Sequence, residues 1–246
     1  MRFMKLLCLL PLLITPLSAA PLDAAQEQAV EKLIADYFIR NPEKMEQALD
    51  AYRAHMQLRE EQFFQQTLKE NGPALYNSEM DFSMGPADAP ITIVEFFDYN
   101  CGYCKRVFSP LMEVMRNSKD VRLVFKELPI LSEDSNRAAR LALAIGDRLQ
   151  FLTFHTKLMT HRGKINQAVL DKTLADMKLD AVALSKKAKA PEIEAHLAAN
   201  EMLAQNLGIS GTPAFIINDQ LYRGAIEKQQ LENVLANIRA DLKASR

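Results

Sequence analysis

The chain has 246 residues, of which 48% are hydrophobic and 25% charged, so it is globular and long enough for one large domain with an appendage. A formal net charge of −1 argues against a nucleic-acid partner held on a basic surface. No internal repeat or low-complexity tract points to a repeat fold.

Arg2 and Lys5 precede the apolar run "LLCLLPLLI", and "TPLSAA" follows with small residues. A positive start, a short apolar stretch and a small-residue zone are the pattern of a secretory signal, so we expect cleavage of residues 1–20 near Ala19 or Ala20. The run is shorter than the ~20 residues a membrane span needs. Cys8 leaves with that segment. The mature chain then carries Cys101 and Cys104 alone into an oxidising compartment.

Val30, Leu33, Ile34, Tyr37 and Phe38 form the apolar stripe of a first helix. Asn41 and Pro42 suit the end of that helix and the first turn of another. In the second, Met45, Leu49, Tyr52, Met56 and Phe63 recur at helical spacing, Arg59 interrupts the seam, and Gly72 with Pro73 should close it. Segment 21–77 therefore presents stripes with no strand to cover them. Either it folds back on the remaining chain or it joins subunits. We expect a stalk that builds a dimer or trimer.

"ITIVEFFDY" (91–99), rich in β-branched and aromatic residues, reads as a buried strand. A helix should run from about Cys104 to Arg116, with Phe108, Leu111, Met112 and Met115 inward, and "VRLVFKEL" (121–128) is a second strand. About residues 134–207 read as helical, broken near Gly146, at "HRGKIN" and at "KAPE". "AFIIN" and "QLYRG" then form two strands about an Asn218-Asp219 turn, and an amphipathic helix ends the chain. That order predicts an α/β domain over 78–246 with an inserted helical subdomain.

The chemistry lies where the first strand meets its helix, at "CGYC". A structural zinc site needs about four ligands. The mature chain offers one cysteine pair, and His155 and His161 have no common zinc spacing, so we expect no metal. A staple closing so short a loop gains only about 2 kcal/mol before strain. Redox chemistry fits better. Unpaired N–H groups at a helix start favour a thiolate on Cys101, expected to be the exposed attacking sulfur, with Cys104 one turn on as the resolving thiol.

"FFDYNCGYCKR", "VFKELPIL" and "GISGTPAFIIN" together resemble the DsbA-type branch of the thioredoxin superfamily, especially periplasmic proteins of the ScsC kind with an N-terminal oligomerisation segment. The resemblance implies a thioredoxin fold, a periplasmic location and no cofactor. It implies a cis peptide before Pro213, with Thr212 offering its backbone to substrate, and a buried acid that relays protons for Cys104. Glu95, with Lys126 in the next strand, fits that relay, although a rim salt bridge without a catalytic part is the alternative. The Gly102-Tyr103 dipeptide and Thr212 resemble disulfide isomerases more than the oxidases, which typically carry CPHC. The implied partners are misfolded or misoxidised secreted proteins and a membrane thiol reductase of the DsbD or ScsB type. Three other functions stay open: a DsbA-like dithiol oxidase, a copper-binding or copper-protective protein using the cysteines with Met80 and Met84, and a redox-independent chaperone.

Overall fold

The computed structural model describes residues 21–244, so the expected signal segment and Cys8 lie outside the described residues. Asp23 caps α1 (Ala24–Arg40) through a capping box with Gln26, and Asn41 ends it. Pro42 opens α2 (Pro42–Tyr76), where its missing N–H costs no hydrogen bond. None of the residues of α1 is buried, and Val30, Leu33, Ile34 and Tyr37 all face solvent. No described helix is long and apolar enough to cross a membrane.

Two compact units divide the chain, one through Arg59 and one from Glu60. The second unit is built on a five-stranded sheet in the order β1-β3-β2-β4-β5. Here β1 is Phe82–Met84, β2 Ile91–Phe97, β3 Val121–Glu127, β4 Ala214–Ile217 and β5 Gln220–Arg223. Only β2 and β3 run parallel, and their register places Glu95 opposite Phe125 and Phe97 opposite Glu127. The three other pairs are antiparallel. Short β1 was not anticipated, because three half-buried residues show no alternation. Met80 and Met84, weighed above as copper ligands, instead pack against the apolar core.

The period of two sorts the strands into two faces. Ile91, Ile93 and Phe97 of β2 and Leu123 and Phe125 of β3 share one core with α3 (Gly102–Asn117) and α9 (Lys228–Ala244). Val94, Phe96, Val124 and Ile216 line the other, against Leu68 and Leu75 of α2 and Leu203 and Leu207 of α8 (Pro191–Asn206).

That second core corrects two expectations. Gly72 and Pro73 do not close α2, which continues to Tyr76 because Leu75 is fully buried and repays the last turn. The domain therefore begins nearer Glu60 than residue 78, since Thr67, Leu68 and Leu75 belong to its interior.

The insert contains α4 (Glu133–Ile145), α5 (Arg148–Thr160), α6 (Gln167–Asp176) and α7 (Ala181–Lys187) before α8. Ser132, Asp147, Asn166 and Asp180 cap the first four. The break at 177–180 escaped the sequence reading because it contains neither glycine nor proline; Lys178 takes a positive φ of 55° instead. Asn218 and Asp219, at φ 47° and 66°, make the β4–β5 hairpin turn with the two residue types that best tolerate that conformation after glycine.

Lys126 lies on the α2–α8 face. Its ammonium donates to Ala74 O and Asp81 Oδ2, with Asn200 Oδ1 at 3.5 Å. Asp81 Oδ1 also meets His196 Nε2 at 2.8 Å. Removing one member of a buried pair strands the other, at about 3–5 kcal/mol. Asp81→Ala should therefore lose stability of that order in urea unfolding. Asp81→Ala with Lys126→Met should recover most of it; equal loss by both variants would show that the ion pair is not the cause.

Candidate active site

β2 ends at Phe97, and Asp98, Tyr99 and Asn100 carry the chain to Cys101, the N-cap of α3. Cys101 N–H donates to Asp98 O at 3.0 Å, which bends the chain into the helix. Cys101 Sγ then takes the capping position and accepts from Cys104 N–H at 3.2 Å. From the far side of the sheet sequence, the Thr212–Pro213 bond is cis and Thr212 O lies 3.2 Å from the same sulfur. Two segments, the start of α3 and the Thr212–Pro213 loop, thus meet at one atom.

Cys101 is only 4% exposed, which corrects the expectation of an exposed sulfur. It turns back over its own helix start and under Thr212, leaving Gly102 and Tyr103 as the exposed tip. Its pKa is nevertheless lowered to about 6. The Cys104 thiol contributes most, against the opposing effect of burial, followed by the Thr212 side chain and the backbone N–H groups of Cys104 and Tyr103. Cys104 is fully buried, and burial, the bond it gives Cys101 and the nearby Glu95 charge push its thiol far above the ordinary range. At neutral pH, one sulfur is an anion and its neighbour holds its proton.

Glu95 lies in the interior with neither carboxylate oxygen hydrogen-bonded among the described residues. Burial first, and the charge of Cys101 second, raise its pKa to about 8. A carboxyl of that kind can exchange a proton at neutral pH. Lys126 is not its partner. The strand register sends Lys126 to the opposite face, where Asp81 and Ala74 O hold it. The expectation that Lys126 joins Glu95 in a relay is therefore corrected.

Four other residues shape the site and were missed by the sequence reading. Glu127, on the same face as Glu95, accepts from Tyr99 OH at 2.9 Å, and Tyr99 OH lies 3.1 Å from His155 Nδ1. Burial raises the Glu127 pKa well above the carboxylate range and lowers that of His155 to about 3, so the imidazole is neutral. Asp98 accepts from Asn100 N at 2.7 Å and Leu131 N at 3.0 Å, fixing the approach to Cys101. For Asp98 and Tyr99 the clue was present in "FFDYNC", where polar groups follow an apolar strand just before the cysteine; Glu127 and His155 had no such local signal. Among the described residues no three His, Cys, Asp or Glu side chains converge as metal ligands. The arrangement can do thiol–disulfide exchange, with a ready nucleophile, a neighbouring thiol and a buried acid beneath.

The DSBA-like thioredoxin domain description matches residues 92–236. A thioredoxin-like oxidoreductase from Silicibacter pomeroyi is 38% identical, over 68% of this chain and 97% of that one, with a TM-score of 0.65. A linker-deletion mutant of Proteus mirabilis ScsC is 30% identical, over 91% of this chain and 100% of that one, at a TM-score of 0.66. The Na(+)/H(+) antiporter NhaA 1 of Salinispora arenicola is 27% identical over 62% of this chain. The chain spans about a quarter of the length of the antiporter relatives it matches.

Two measurements check this electrostatic picture. Thiolate absorbance of the reduced protein should titrate with a midpoint near 6. Cys104→Ala should raise that midpoint, because it removes the largest stabilising contact; a wild-type midpoint at or above about 8.5 would leave Cys101 an ordinary thiol.

Glu95 acts on stability in the other direction. Its folded pKa is raised to about 8, so its unfolded carboxyl ionises first and wild-type stability falls as pH rises toward that value. Reduced Glu95→Gln should match wild type near pH 4, gain on it by up to about 1.4 kcal/mol per pH unit as pH rises toward about 8, and gain no further above that. A gap that does not change with pH would show that Glu95 is not a neutral buried acid.

Proposed function

The chain belongs to the DSBA-like thioredoxin domain family, and from that premise we propose that it is a thiol–disulfide oxidoreductase of the periplasm. Its favoured work is disulfide isomerisation and reduction by an oligomer. The observation that carries the reading is the divided pair, with Cys101 lowered to about 6 while Cys104 is buried and raised.

Cys101 thiolate attacks one sulfur of a substrate disulfide. That S–S bond breaks, the other substrate sulfur leaves as a thiolate, and a Cys101–substrate mixed disulfide forms. Two exits follow. A second substrate thiolate can attack the mixed disulfide, which rearranges the substrate with no net change of oxidation state. Alternatively, Cys104 loses its proton to ionised Glu95 and attacks Cys101, releasing reduced substrate and leaving the oxidised pair. Regeneration then needs two electrons, for which a membrane thiol reductase of the DsbD or ScsB type is the proposed source. Thr212 beside the sulfur offers backbone groups to an extended substrate, and Pro213 has no N–H to compete for them.

Retention of a misfolded or misoxidised secreted protein favours the first exit. The unburied apolar stripe of α1 supports assembly, because Val30, Leu33, Ile34 and Tyr37 would be covered by further copies of the same segment. Two or three subunits would then present several dithiols to one bound substrate.

A chain starting at Glu60 keeps the buried residues of α2 and should fold as a redox-active monomer. Light scattering should show a dimer or trimer only for the full-length protein. The shortened chain should reduce small disulfides normally and lose at least about tenfold in reactivation of a scrambled-disulfide protein, the gain that multivalent capture confers. A monomeric full-length protein, or equal reactivation by both chains, would refute the oligomeric isomerase. Rapid oxidation of reduced substrates by both would favour a dithiol oxidase.

A further inference from the structure

We propose that Arg162 and Lys164, together with Lys105 and Arg106, form a basic rim beside the dithiol that selects protein substrates whose reactive cysteines are flanked by acidic residues. The proposal rests on the thiol–disulfide exchange proposed above and names its substrate class.

The "HRGKIN" loop lies in sequence far from the cysteines, yet it is tied to residues on both sides of them. Before Cys101, Asn100 Oδ1 accepts from Ile165 N–H at 2.7 Å, and Asn100 Nδ2 donates to Ile165 O at 3.1 Å. After Cys104, Lys105 Nζ donates to His161 O at 3.2 Å and to Gly163 O at 2.6 Å. Arg162 and Lys164 alternate with the tethered positions and are exposed. Held at both edges, the loop keeps their charges beside the site without swinging them away.

Lys105 feels the Asp98 carboxylate and the Cys101 thiolate, yet it is locked to neither. Arg162, Lys164, Lys105 and Arg106 make no ion pair among the described residues. Arg106 instead lies over the Tyr103 ring, with its Cζ 4.5 Å from the centroid, which holds a charge on the exposed tip between the cysteines. The acids nearby in the fold are largely engaged. Asp98 is buried with both oxygens accepting backbone N–H groups, and Asp134 at the start of α4 is paired with Arg137. Glu133 is left as the exposed acid of that turn. A chain with net charge −1 has no general surplus of cations, so four of them on one rim make a local field.

A positive rim raises encounter rates with negative segments and lowers them with positive ones. A peptide entering toward Thr212 would bring residues beside its cysteine against Lys105 and Arg162, where Asp or Glu is attracted and Lys or Arg is repelled.

The test uses the full-length reduced protein and three disulfide peptides that differ only in carrying Asp, Ser or Lys beside the cysteines. Each rate is divided by that peptide's rate with dithiothreitol, which removes its intrinsic reactivity. At low salt the Asp peptide should react about tenfold faster than the Lys peptide. At about 0.5 M salt the ratio should shrink toward unity. Arg162→Glu with Lys164→Glu should invert the low-salt ratio, with the Ser peptide as reference. Equal rates for all three peptides, or a ratio indifferent to salt in wild type, would overturn the basic rim and leave the exchange activity standing. If none of the peptides reacts, the exchange activity itself is wrong, and the rim proposal falls with it.

Discussion

The parallel pairing of β2 with β3 is the constraint on which the rest of the second unit depends. Its register aligns Glu95 with Phe125 and Phe97 with Glu127, so both acids face the core beneath α3. Lys126, one position earlier than Glu127, is sent through the sheet to Asp81 and α8. A slip of one residue would reverse every side chain of a strand. In β3 it would put an ammonium in place of Phe125 beside Phe97 and Phe151, and it would strip Asp81 of its lysine. The aromatic packing on one face and the ion pair on the other therefore enforce the same register.

That register creates a conflict between stability and chemistry. Two carboxyls share an interior face with no cation on it among the described residues, and burial keeps both protonated well above the ordinary carboxylate range. A core built only for stability would use apolar residues at both positions. Glu127 is partly compensated by Tyr99, itself linked to neutral His155. Glu95 has no such compensation. The uncompensated acid is the one that interacts electrostatically with both cysteines, as expected where function outweighs packing.

Local signals in the sequence carried most of the fold. The Asn218-Asp219 turn, the Asn41-Pro42 junction and the strand that runs into "CGYC" are all readable from a few residues, because each depends on backbone preference or period. Features that depend on distant partners were not readable. Pro73 continues a helix because Leu75 finds a core and Ala74 O finds Lys126. The three residues of β1 are a strand because β3 offers its free edge. Cys101 is covered because Thr212, more than a hundred residues later, returns to its sulfur. A lysine next to an acid-bearing strand suggested an ion pair, but adjacency cannot say which face a side chain takes until register is known.

The titratable groups around the dithiol fall into two sets that act through different media. Glu95 and Glu127 lie in the interior, where the local dielectric is low and salt does not reach them. Glu95 acts on Cys104 and Cys101 and hence on the proton inventory of the reaction. Arg162, Lys164 and Arg106 face solvent, where their influence extends about a Debye length and fades with salt. Substitution in the outer group changes which molecule arrives while hardly altering the inner one. Thiol chemistry and substrate choice can therefore vary independently on the same framework. Lys105 is the exception, because it is half-buried beside Cys101 and also ties down the loop that bears the outer charges.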